Sequence, residues 1–542
     1  MIEASLGRRH VLEAGGLLAI VALAAVLRLV DLPTRGTWDA DQGHDMLVLR
    51  NLVLNGQVPL LGPPTSIGDF HHGVLYYLLL APAAAISGAD PTAVTAWIAL
   101  GGVAAVGVVG WLARAIGGPV AGLVTAFLLA VSASAVEESV FIWNPNVIAL
   151  SSSIALAAAW HAWEGGGARW WVVAGAAAVV TMHGHVLGAI LTPVIAGLLV
   201  ADVRRRRRSG DADGARSVSR AALGWIGIGL LSGVPLLIHE VASGGAELRA
   251  AVAFVAGGGG EAAIGLPSRI PIVALRVLGW PLAGLITAAP VATVLVSLLV
   301  VASAVWLGWV RMVGPGPSPS AGATPPASAA ERVAARWLGL GLAWTIAALA
   351  IGASSLATVV PGLPNDHYHA FADPLVVVLA GLGIGALVRE AGPGVRSAPA
   401  LAAAVIVVAL GGWNLARQPP RVVADGGWPA ARLAAQRVIA AGGGGPYVLA
   451  SLPTFKSDEA LRFPLEGAGV ELIERGIPAA SVDPSIPRVI LCDQLFRASI
   501  GADCGGPAEG ALLATALPTA DPPSVVDRFE AAPGRWISIY RP

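Results

Sequence analysis

Long apolar segments recur along almost the whole chain, and they restrict its fold more than any other feature. A helix of about 20 apolar residues is long enough to cross a membrane. Of the 542 residues, 55% are hydrophobic and 13% are charged, and the mean hydropathy is +0.72, which is more apolar than a soluble core absorbs. The sequence therefore predicts an all-α polytopic membrane protein. We place eleven membrane-spanning helices at residues 11–30, 93–113, 120–136, 147–162, 170–182, 186–200, 221–238, 289–310, 338–359, 375–388 and 400–415.

The arginines of the connecting loops predict the orientation of the chain. Short loops rich in Lys and Arg stay on the cytoplasmic side of a plasma membrane. When the eleven spans are counted in order, these basic positions fall on one side, so we predict a cytoplasmic N-terminus and an extracytoplasmic C-terminal region. No small-residue cleavage site follows the first apolar run, and we expect residues 14–27 to remain as a span. The basic positions are Arg8, Arg9, Arg114, Arg169, residues 204–208, Arg311 and Arg389.

Changes in polarity divide the chain into two predicted domains. Residues 1–418 form the transmembrane domain, and residues 419–542, which have ordinary polarity, form a small extracytoplasmic α/β domain. Residues 31–92 form a first outer loop that is apolar enough to contain two surface helices. Residues 312–336 are rich in Pro, Gly and Ser and predict a cytoplasmic linker.

Both cysteines, Cys492 and Cys504, lie in the predicted extracytoplasmic domain. An oxidising compartment favours a disulfide between them, whereas the sequence alone is equally compatible with two free thiols.

Ionisable side chains cluster at the predicted outer face of the membrane, where eight of the ten histidines fall. Charged groups at membrane depth are costly, so they usually line a cavity or a pathway. The sequence therefore predicts a polar cavity that opens outward. The histidines are His44, His71, His72, His183, His185, His239, His367 and His369, and the acids are Asp39, Asp41, Asp45, Asp69, Glu137, Glu138, Asp366 and Asp373.

Each member of this group also has a purely structural interpretation. Asp39 or Asp41 can act as the N-cap of the helix that follows. The histidines at 71–72 can lie among lipid headgroups, and those at 183–185 can form a polar hairpin tip. The stretch at 365–374 can be an ordinary loop held by hydrogen bonds.

Four short motifs occupy recognisable places in the loops: "TWDADQGHDM" at 37–46, "HHGVLYYLLLAP" at 71–82, "ESVFIWNPN" at 138–146 and "HYHAFADPL" at 367–375. Their arrangement resembles the integral membrane C-type glycosyltransferases, in the glycosyltransferase family 39-like branch that contains the protein O-mannosyltransferases and the lipid A aminoarabinose transferases. The resemblance covers about residues 10–390 as architecture. It implies the multi-helix fold of that family.

The resemblance also implies roles for individual residues. The family has a catalytic Asp early in the first outer loop, commonly followed by Glu; here Asp41 takes that place, and Gln42 departs from the usual acid. A second acid often precedes a Pro in the second outer loop, where this chain has Asn144, which can orient an acceptor but cannot act as a base. His72 matches the His that precedes the second surface helix. Asp41 is therefore the expected general base.

The implied reaction transfers a hexosyl or pentosyl group from a polyprenyl-phosphate donor to an acceptor hydroxyl, with inversion at the anomeric carbon. The acceptor is expected to be a glycan, a lipid or a protein, membrane lipids are further partners, and the zero net charge indicates no nucleic-acid partner. We expect no cofactor and no metal, with a divalent metal as the alternative. The residues expected at the substrates are Asp45, His44, His72, Glu138, Asn144, His183, His185, His367, His369, Arg28 and Arg269.

Some of these residues have competing explanations. Arg28 lies near the outer end of the first span, where it either extends to the interface or contacts the lipid phosphate. The stretch "PTFKSDEALRFPLEGAG" at 453–469 is either the start of a solvated helix or an acceptor-recognition element.

Two other classes of protein fit part of the pattern. A transporter or flippase for a lipid-linked saccharide would use the same cavity without cleaving a bond, but it predicts related halves and interrupted helices. An assembly or sensor protein would make Asp41 dispensable. The long first outer loop with its cluster of acids favours the glycosyltransferase.

Overall fold

The computed structural model describes residues 2–65, 69–257, 264–311, 329–357, 366–390, 397–454, 458–473, 482–515 and 523–541. Most of these residues are helical, and the strands among them form one small sheet near the C-terminus. The predicted fold class is confirmed. The N-terminal part contains α1 (Ile2–Leu29), α2 (Leu32–Arg35), α3 (Ala40–Asn55), α4 (Leu75–Ser87), α5 (Pro91–Val131), α6 (Ala133–Glu137), α7 (Ile148–His161), α8 (Arg169–Gly184), α9 (Leu191–Arg208), α10 (Ala212–Ser232), α11 (Val234–Ser243), α12 (Ala246–Ala256), α13 (Leu266–Ala283), α14 (Pro290–Val305), α15 (Ala329–Gly352), α16 (Asp373–Glu390) and α17 (Ala398–Leu415). The C-terminal part contains α18 (Gly427–Gly442), β1 (Val448–Leu452), α19 (Glu459–Gly467), β2 (Arg488–Asp493), α20 (Arg497–Ile500), α21 (Pro507–Thr515), β3 (Ser524–Ala532) and β4 (Arg535–Arg541).

Eight helical segments in these ranges are long and apolar enough to cross a membrane, whereas eleven spans were predicted. Two predicted spans correspond to the two helices that make up α5, which meet at a kink where Gly118 has non-helical backbone angles (φ 82°, ψ −176°). Two others correspond to α7 and α8, whose 14 and 16 residues are fewer than a typical span contains. The eight segments are Val11–Leu29, Pro91–Val131, Val186–Arg208, Ala212–Ser243, Pro290–Val310, Ala329–Gly352, Asp366–Glu390 and Ala398–Leu415.

Helix α13 has no counterpart among the predicted spans. Its apolar sequence is interrupted by Pro271, Arg276 and Pro281, which lowered the local hydropathy below that of its neighbours. The predicted linker at 312–336 falls partly outside the described residues. Its last part is helical, because α15 already begins at Ala329.

Helix α16 is the most buried of the membrane-length segments in the described ranges, and small residues allow its neighbours to approach it closely. A Cβ atom added at Gly381 would overlap the side chain of Thr125 in α5, and one added at Gly383 would overlap Ser303 in α14. Such contacts between small residues are how helices associate where the hydrophobic effect is weak. Helix α16 therefore forms the centre of the helical bundle.

The first loop segment, residues 31–92, contains the two predicted surface helices as α3 and α4. Helix α3 begins with a capping box, in which the Asp39 carboxylate caps the first turn and the backbone N–H of Asp39 donates to Gln42 Oε1 at 2.9 Å. Between the helices, backbone bonds join Gly62 N to His72 O at 3.0 Å and His72 N to Pro63 O at 2.8 Å. This pairing fixes the position of His72 next to α4.

The C-terminal part of the chain, from α18 to β4, contains a four-stranded sheet with strand order β1-β2-β4-β3, and we call this part the C-terminal domain. Strands β1 and β2 are parallel, with Ala450 opposite Ile490, and β4 pairs antiparallel with both β2 and β3. A disulfide joins Cys492 in β2 to Cys504, which decides between the two alternatives left open by the sequence.

The C-terminal domain packs directly on the first loop segment. The indole of Trp38 donates from Nε1 to the carbonyl oxygen of Ala460 at 2.8 Å, and its ring lies 4.5 Å from Trp428 and 5.6 Å from Phe463. Arg535 of β4 donates to the carbonyl oxygen of Trp38 at 2.9 Å. The two parts therefore share one hydrophobic core.

Candidate active site

A cavity of about 630 Å³ lies where the helical bundle, the first loop segment and the C-terminal domain meet. Of the twelve residues predicted at the site, six line this cavity. The predicted polar cavity is thus present, and the residues that line it are distant from one another in sequence. Its lining is Ala40, Asp41, His44, Asp45, Pro63, Pro64, Thr65, Asp69, Phe70, His72, Trp143, Asn144, Pro145, His185, Val186, Leu187, Phe254, Gly352, Ala353, Ser355, Tyr368 and Glu459.

Asp41 lies in the first turn of α3, with its side chain exposed at the cavity. The N-cap of this helix is Asp39, whose Oδ1 accepts from the Ala40 N–H at 2.8 Å. The capping role therefore belongs to Asp39, and it does not explain the second carboxylate. A carboxylate near the positive end of a helix dipole is favoured in its ionised form, as a base requires.

Gln42, which replaces the acid usual in the family, has a structural role. Its side chain is buried, accepts from Asp39 N and donates from Nε2 to the carbonyl oxygen of Ile142 at 2.8 Å. A carboxylate cannot make the second bond, because it has no hydrogen to donate. Gln42 therefore joins α3 to the segment that carries Asn144.

Asn144 is buried at the cavity and donates from Nδ2 to the carbonyl oxygen of Gly184 at 2.6 Å. This bond connects the loop before α7 to the end of α8. The contact holds the side chain in place beside the cavity.

Asp45 follows Asp41 by one turn, so both carboxylates lie on the same side of α3. Its side chain is buried, and its two oxygens accept from the hydroxyls of Tyr76 and Tyr77 at 2.7 and 2.8 Å. Burial raises the pKa of Asp45 to about 7, against the opposing effects of the His44 charge and the two tyrosine hydrogen bonds.

His44 pairs with an acid from the C-terminal domain. Its Nδ1 lies 3.2 and 3.1 Å from the two carboxylate oxygens of Glu459, at the start of α19. Burial alone lowers the pKa of His44, but the hydrogen bond and charge of Glu459, with the charges of Asp45 and Asp41, raise it overall. The C-terminal domain thus contributes both a side chain and an electrostatic effect to the cavity.

Five aromatic rings form a continuous row beside the cavity, which we call the aromatic row. The Trp143 ring lies 4.0 Å from His367, and His367 lies 4.1 Å from Tyr368. Tyr368 stacks on His185 at 4.9 Å, and His185 lies 4.8 Å from His72. Aromatic faces of this kind can pack against the apolar faces of a sugar ring.

The two histidines at the end of the aromatic row accept backbone hydrogen bonds. Val186 N donates to His72 Nδ1 at 3.3 Å, and Leu187 N donates to His185 Nδ1 at 3.2 Å. Burial lowers the pKa of His72 to about 4, with a further contribution from His71. Both rings therefore act as neutral imidazoles at pH 7.

His183 lies behind this row and does not line the cavity. Leu75 N donates to its Nδ1 at 3.4 Å, and its Nε2 lies 3.0 Å from the Ser232 hydroxyl. A Cβ atom at residue 73 would overlap its ring, which explains the glycine there. His183 therefore connects α4, α8 and α10.

A buried ion pair lies on the far side of the aromatic row. Arg276 binds Asp366 through two bonds of 2.8 Å and donates to the carbonyl oxygen of Leu356 at 2.6 Å. His369 Nε2 lies 3.1 Å from the same carboxylate. His367 and His369 both lie in the segment before α16, and neither side chain lines the cavity.

Glu138 is also separate from the cavity lining. Its Oε1 accepts from the indole N–H of Trp280 at 3.0 Å. The pKa of Glu138 is raised to about 8, mainly by burial. The hydrogen bond from Trp280 lowers the pKa by less than burial raises it, and the charges of Glu137 and Asp366 raise it further. Burial therefore favours the protonated form of this side chain.

Neither predicted arginine lines the cavity. Arg28 is buried and donates to the carbonyl oxygens of Leu129 and Ala130 at 3.1 and 2.9 Å, so it caps the end of α5. Arg269 donates to the carbonyl oxygens of Ile264 and Ala350 at 3.0 and 3.3 Å. Both arginines join backbone segments.

One cluster in the described ranges has the spacing of metal ligands, namely Cys492, Cys504 and Glu509 in the C-terminal domain. The disulfide uses both sulfur atoms of that cluster, which removes the thiolates that a metal would bind.

The sequence indicated Glu459 only as part of a stretch that is either a solvated helix start or an acceptor-recognition element, and it did not indicate Arg276. Glu459 is 415 positions from His44, and Arg276 is 90 positions from Asp366. The one local signal for Arg276 was its occurrence in an otherwise apolar helix, where a charge needs a partner.

Comparisons with known proteins agree with this architecture. The family model described as dolichyl-phosphate-mannose-protein mannosyltransferase matches residues 71–211. Two crystal structures of ArnT from Cupriavidus metallidurans, in the apo state and bound to undecaprenyl phosphate, share 14% and 15% identity with the chain, with TM-scores of 0.57 and 0.55. Each alignment covers 97% of this chain and 98% of ArnT. No curated protein sequence matches significantly. The resemblance is confirmed, and the chain is a multi-pass membrane protein with the fold of the C-type glycosyltransferases.

Proposed function

We propose that this chain transfers a sugar from a polyprenyl-phosphate donor to an acceptor hydroxyl on the outer face of the plasma membrane. The observation that carries the proposal is the position of Asp41, an exposed carboxylate in the first turn of α3 that lines a 630 Å³ cavity. A cavity of this size suits a small ligand. The ArnT structure bound to undecaprenyl phosphate supports a lipid-phosphate donor.

In the proposed reaction Asp41 is the general base. The acceptor hydroxyl gives its proton to the carboxylate while its oxygen forms a bond to the anomeric carbon of the donor. The bond between that carbon and the phosphate oxygen breaks, and the polyprenyl phosphate leaves with the electron pair. A single displacement of this kind inverts the configuration. Proton removal by a positioned base contributes about 10²–10⁴-fold to the rate.

The other cavity residues fit binding roles in this reaction. Four members of the aromatic row line the cavity and offer ring faces to the transferred sugar, hexosyl or pentosyl, namely Trp143, Tyr368, His185 and His72. Asn144 lines the same cavity. The remaining space is available to the acceptor, which we propose to be a glycan, a lipid or a protein.

The proposed reaction uses no metal or other cofactor. Both oxygens of Asp45 bind tyrosine hydroxyls, and Glu459 binds His44. Those bonds occupy two of the carboxylates that a hard cation would need as ligands. We expect a chelator to leave transfer unchanged, and a chelator-sensitive activity restored by Mg²⁺ or Mn²⁺ would refute this part of the proposal.

Transfer from defined undecaprenyl-phosphate sugars by the purified full chain tests the proposal. Asp41→Asn keeps the shape of the side chain but removes the base, and we expect the rate to fall about 10²–10⁴-fold. Asp213→Asn is the matched control, since Asp213 is also an exposed acid in the first turn of a helix, α10. Equal rates for Asp41→Asn and wild type would refute the catalytic assignment. Translocation of the lipid-linked sugar without transfer would identify a flippase.

A further inference from the structure

The carboxylate of Glu459 reaches the cavity because α19 lies directly against α3. The Glu459 backbone passes over Gly43, where an added Cβ would overlap it. Two turns further along both helices, Arg50 of α3 pairs with Glu466 of α19. These contacts place Glu459 beside His44 and fix the distance between the two side chains.

The contact between His44 and Glu459 determines which ring nitrogen of His44 can bind a ligand. Nδ1 faces both oxygens of Glu459, so Nε2 is the remaining ring nitrogen. The His44 side chain is 33% exposed and lines the cavity three positions after Asp41. Residues three apart lie on one side of a helix. The His44 ring is therefore available to a ligand that also reaches Asp41.

No arginine or lysine is found among the described residues that line the cavity. The other histidines of the lining, His72 and His185, accept backbone N–H bonds at Nδ1 and are neutral. An anionic ligand in this part of the chain therefore depends on His44 for a charged donor.

We propose that Glu459 is a positioning residue that holds His44 as an imidazolium, and that His44 Nε2–H donates to the phosphate of the lipid-linked donor. The inference rests on the proposed function and extends it to the leaving group. As the bond between the anomeric carbon and the phosphate oxygen breaks, negative charge grows on the phosphate. The imidazolium stabilises that charge through a charge-assisted hydrogen bond and keeps its proton.

The charge on His44 follows from the groups that face it. Glu459 from α19 and the acids Asp41 and Asp45 of its own helix favour the protonated ring, while burial opposes it. Tyr76 and Tyr77 of α4 bind Asp45. Removing the Glu459 charge lowers the pKa of His44, so the ring loses its proton at a lower pH.

Binding of undecaprenyl phosphate to the purified full chain in detergent tests the inference without requiring turnover. We expect the affinity of the wild type to fall as His44 loses its proton with rising pH. In Glu459→Gln this fall should occur at lower pH, and the affinity at pH 7.5 should be about tenfold weaker, the usual value of one charge-assisted hydrogen bond. His44→Gln should bind about tenfold more weakly at every pH below that transition.

Glu466→Gln is the matched control for docking of the C-terminal domain. It removes an acid from the same helix and the same interface, but Glu466 does not line the cavity. We expect its pH profile to match the wild type. Glu459→Asp should restore part of the affinity, which distinguishes a charge effect from damage to the fold.

Two further results separate this inference from the proposed function. Undecaprenol, which lacks the phosphate, should bind wild type and Glu459→Gln equally. At a pH below the His44 transition, Asp41→Asn should still bind undecaprenyl phosphate even if it transfers no sugar. An unshifted pH profile in Glu459→Gln, or a shift of the same size in Glu466→Gln, would overturn the role of Glu459 and leave that of Asp41 intact.

Discussion

The carboxylate of Asp45 accepts a hydrogen bond from the hydroxyl of Tyr76 at 2.7 Å, and this bond ties the two helices of the first loop segment together. Tyr77 donates to the second oxygen at 2.8 Å. Because burial raises the pKa of Asp45 to about 7, the acid that joins α3 to α4 changes its charge in the neutral range.

Asp45→Asn should alter how stability depends on pH. The pKa of Asp45 in the folded chain lies above its ordinary value of 3.8, so folding favours the protonated acid. That contribution is full below about pH 4 and is lost as the pH rises to about 7. Asn mimics the protonated form, and the thermal midpoint of the variant relative to wild type should therefore rise between pH 5 and pH 8. The two pH units between pH 5 and the pKa of about 7 correspond to at most about 3 kcal/mol.

Asp213→Asn, a change at an exposed acid, should follow the wild-type pH dependence. A difference in midpoint between Asp45→Asn and wild type that is the same at pH 5 and pH 8 would contradict the prediction.

Gln42→Glu should destabilise the chain even though it restores the acid usual in related enzymes. The new carboxylate would face the carbonyl oxygen of Ile142, which now accepts from Gln42 Nε2 at 2.8 Å. Leaving a buried acceptor without its donor costs about 1–3 kcal/mol. Thermal unfolding of the purified variant at pH 7 measures this cost. Gln57→Glu, a change at an exposed residue, is the control, and an equal midpoint for both variants would refute the explanation.

Arg276→Met should greatly reduce stability, because it leaves the buried Asp366 carboxylate without its cation. Breaking such a pair costs about 3–5 kcal/mol. Adding Asp366→Asn should recover part of the loss, since the double variant no longer buries an uncompensated charge. The yield and thermal midpoint of purified protein report both effects.

The matched control for this pair is Arg437→Met in the C-terminal domain. Arg437 also binds a carboxylate, that of Asp527, through two bonds of 2.8 and 3.0 Å, but its side chain is 53% exposed. An exposed pair of this kind contributes much less to stability than a buried one, because water screens the two charges. A double variant at 276 and 366 no more stable than Arg276→Met alone would argue against a buried charge as the cause.

Reduction of the disulfide should destabilise the C-terminal domain. Cys492 and Cys504 are separated by 12 positions, and closing a loop of this length stabilises a fold by about 3 kcal/mol through the unfolded chain. A reductant should therefore lower the wild-type thermal midpoint. The double variant Cys492→Ala and Cys504→Ala should unfold at the reduced wild-type midpoint with or without reductant. Equal midpoints for oxidised and reduced wild type would contradict this expectation.

Local features of the sequence predicted the parts of the structure that depend on neighbouring residues. The apolar runs gave the membrane helices, and the acids before α3 indicated a helix start, which Asp39 caps. Most histidines were predicted on one side of the membrane, which indicated a polar cavity there. His44, His72 and His185 line the cavity that the structure contains. Hydropathy and helix capping depend on residues that are close together in the chain, so both can be predicted from a single sequence.

Pairings between distant segments could not be predicted in this way. The charge of Arg276 lowered the hydropathy of α13, and the Asp366 that neutralises it lies far along the chain. Arg28 looked like a candidate for the lipid phosphate, yet carbonyl groups at the end of α5 occupy its donors. Which partner a buried charge selects depends on the packing of whole helices.

The fit of α19 over Gly43 also affects when the site is complete during biosynthesis. A ribosome finishes the helical bundle before it makes Glu459, so the membrane-inserted chain lacks one side of the cavity until the C-terminal domain has folded onto α3. A chain released after the last membrane helix would lack Glu459, and with it the carboxylate that faces His44 at the cavity.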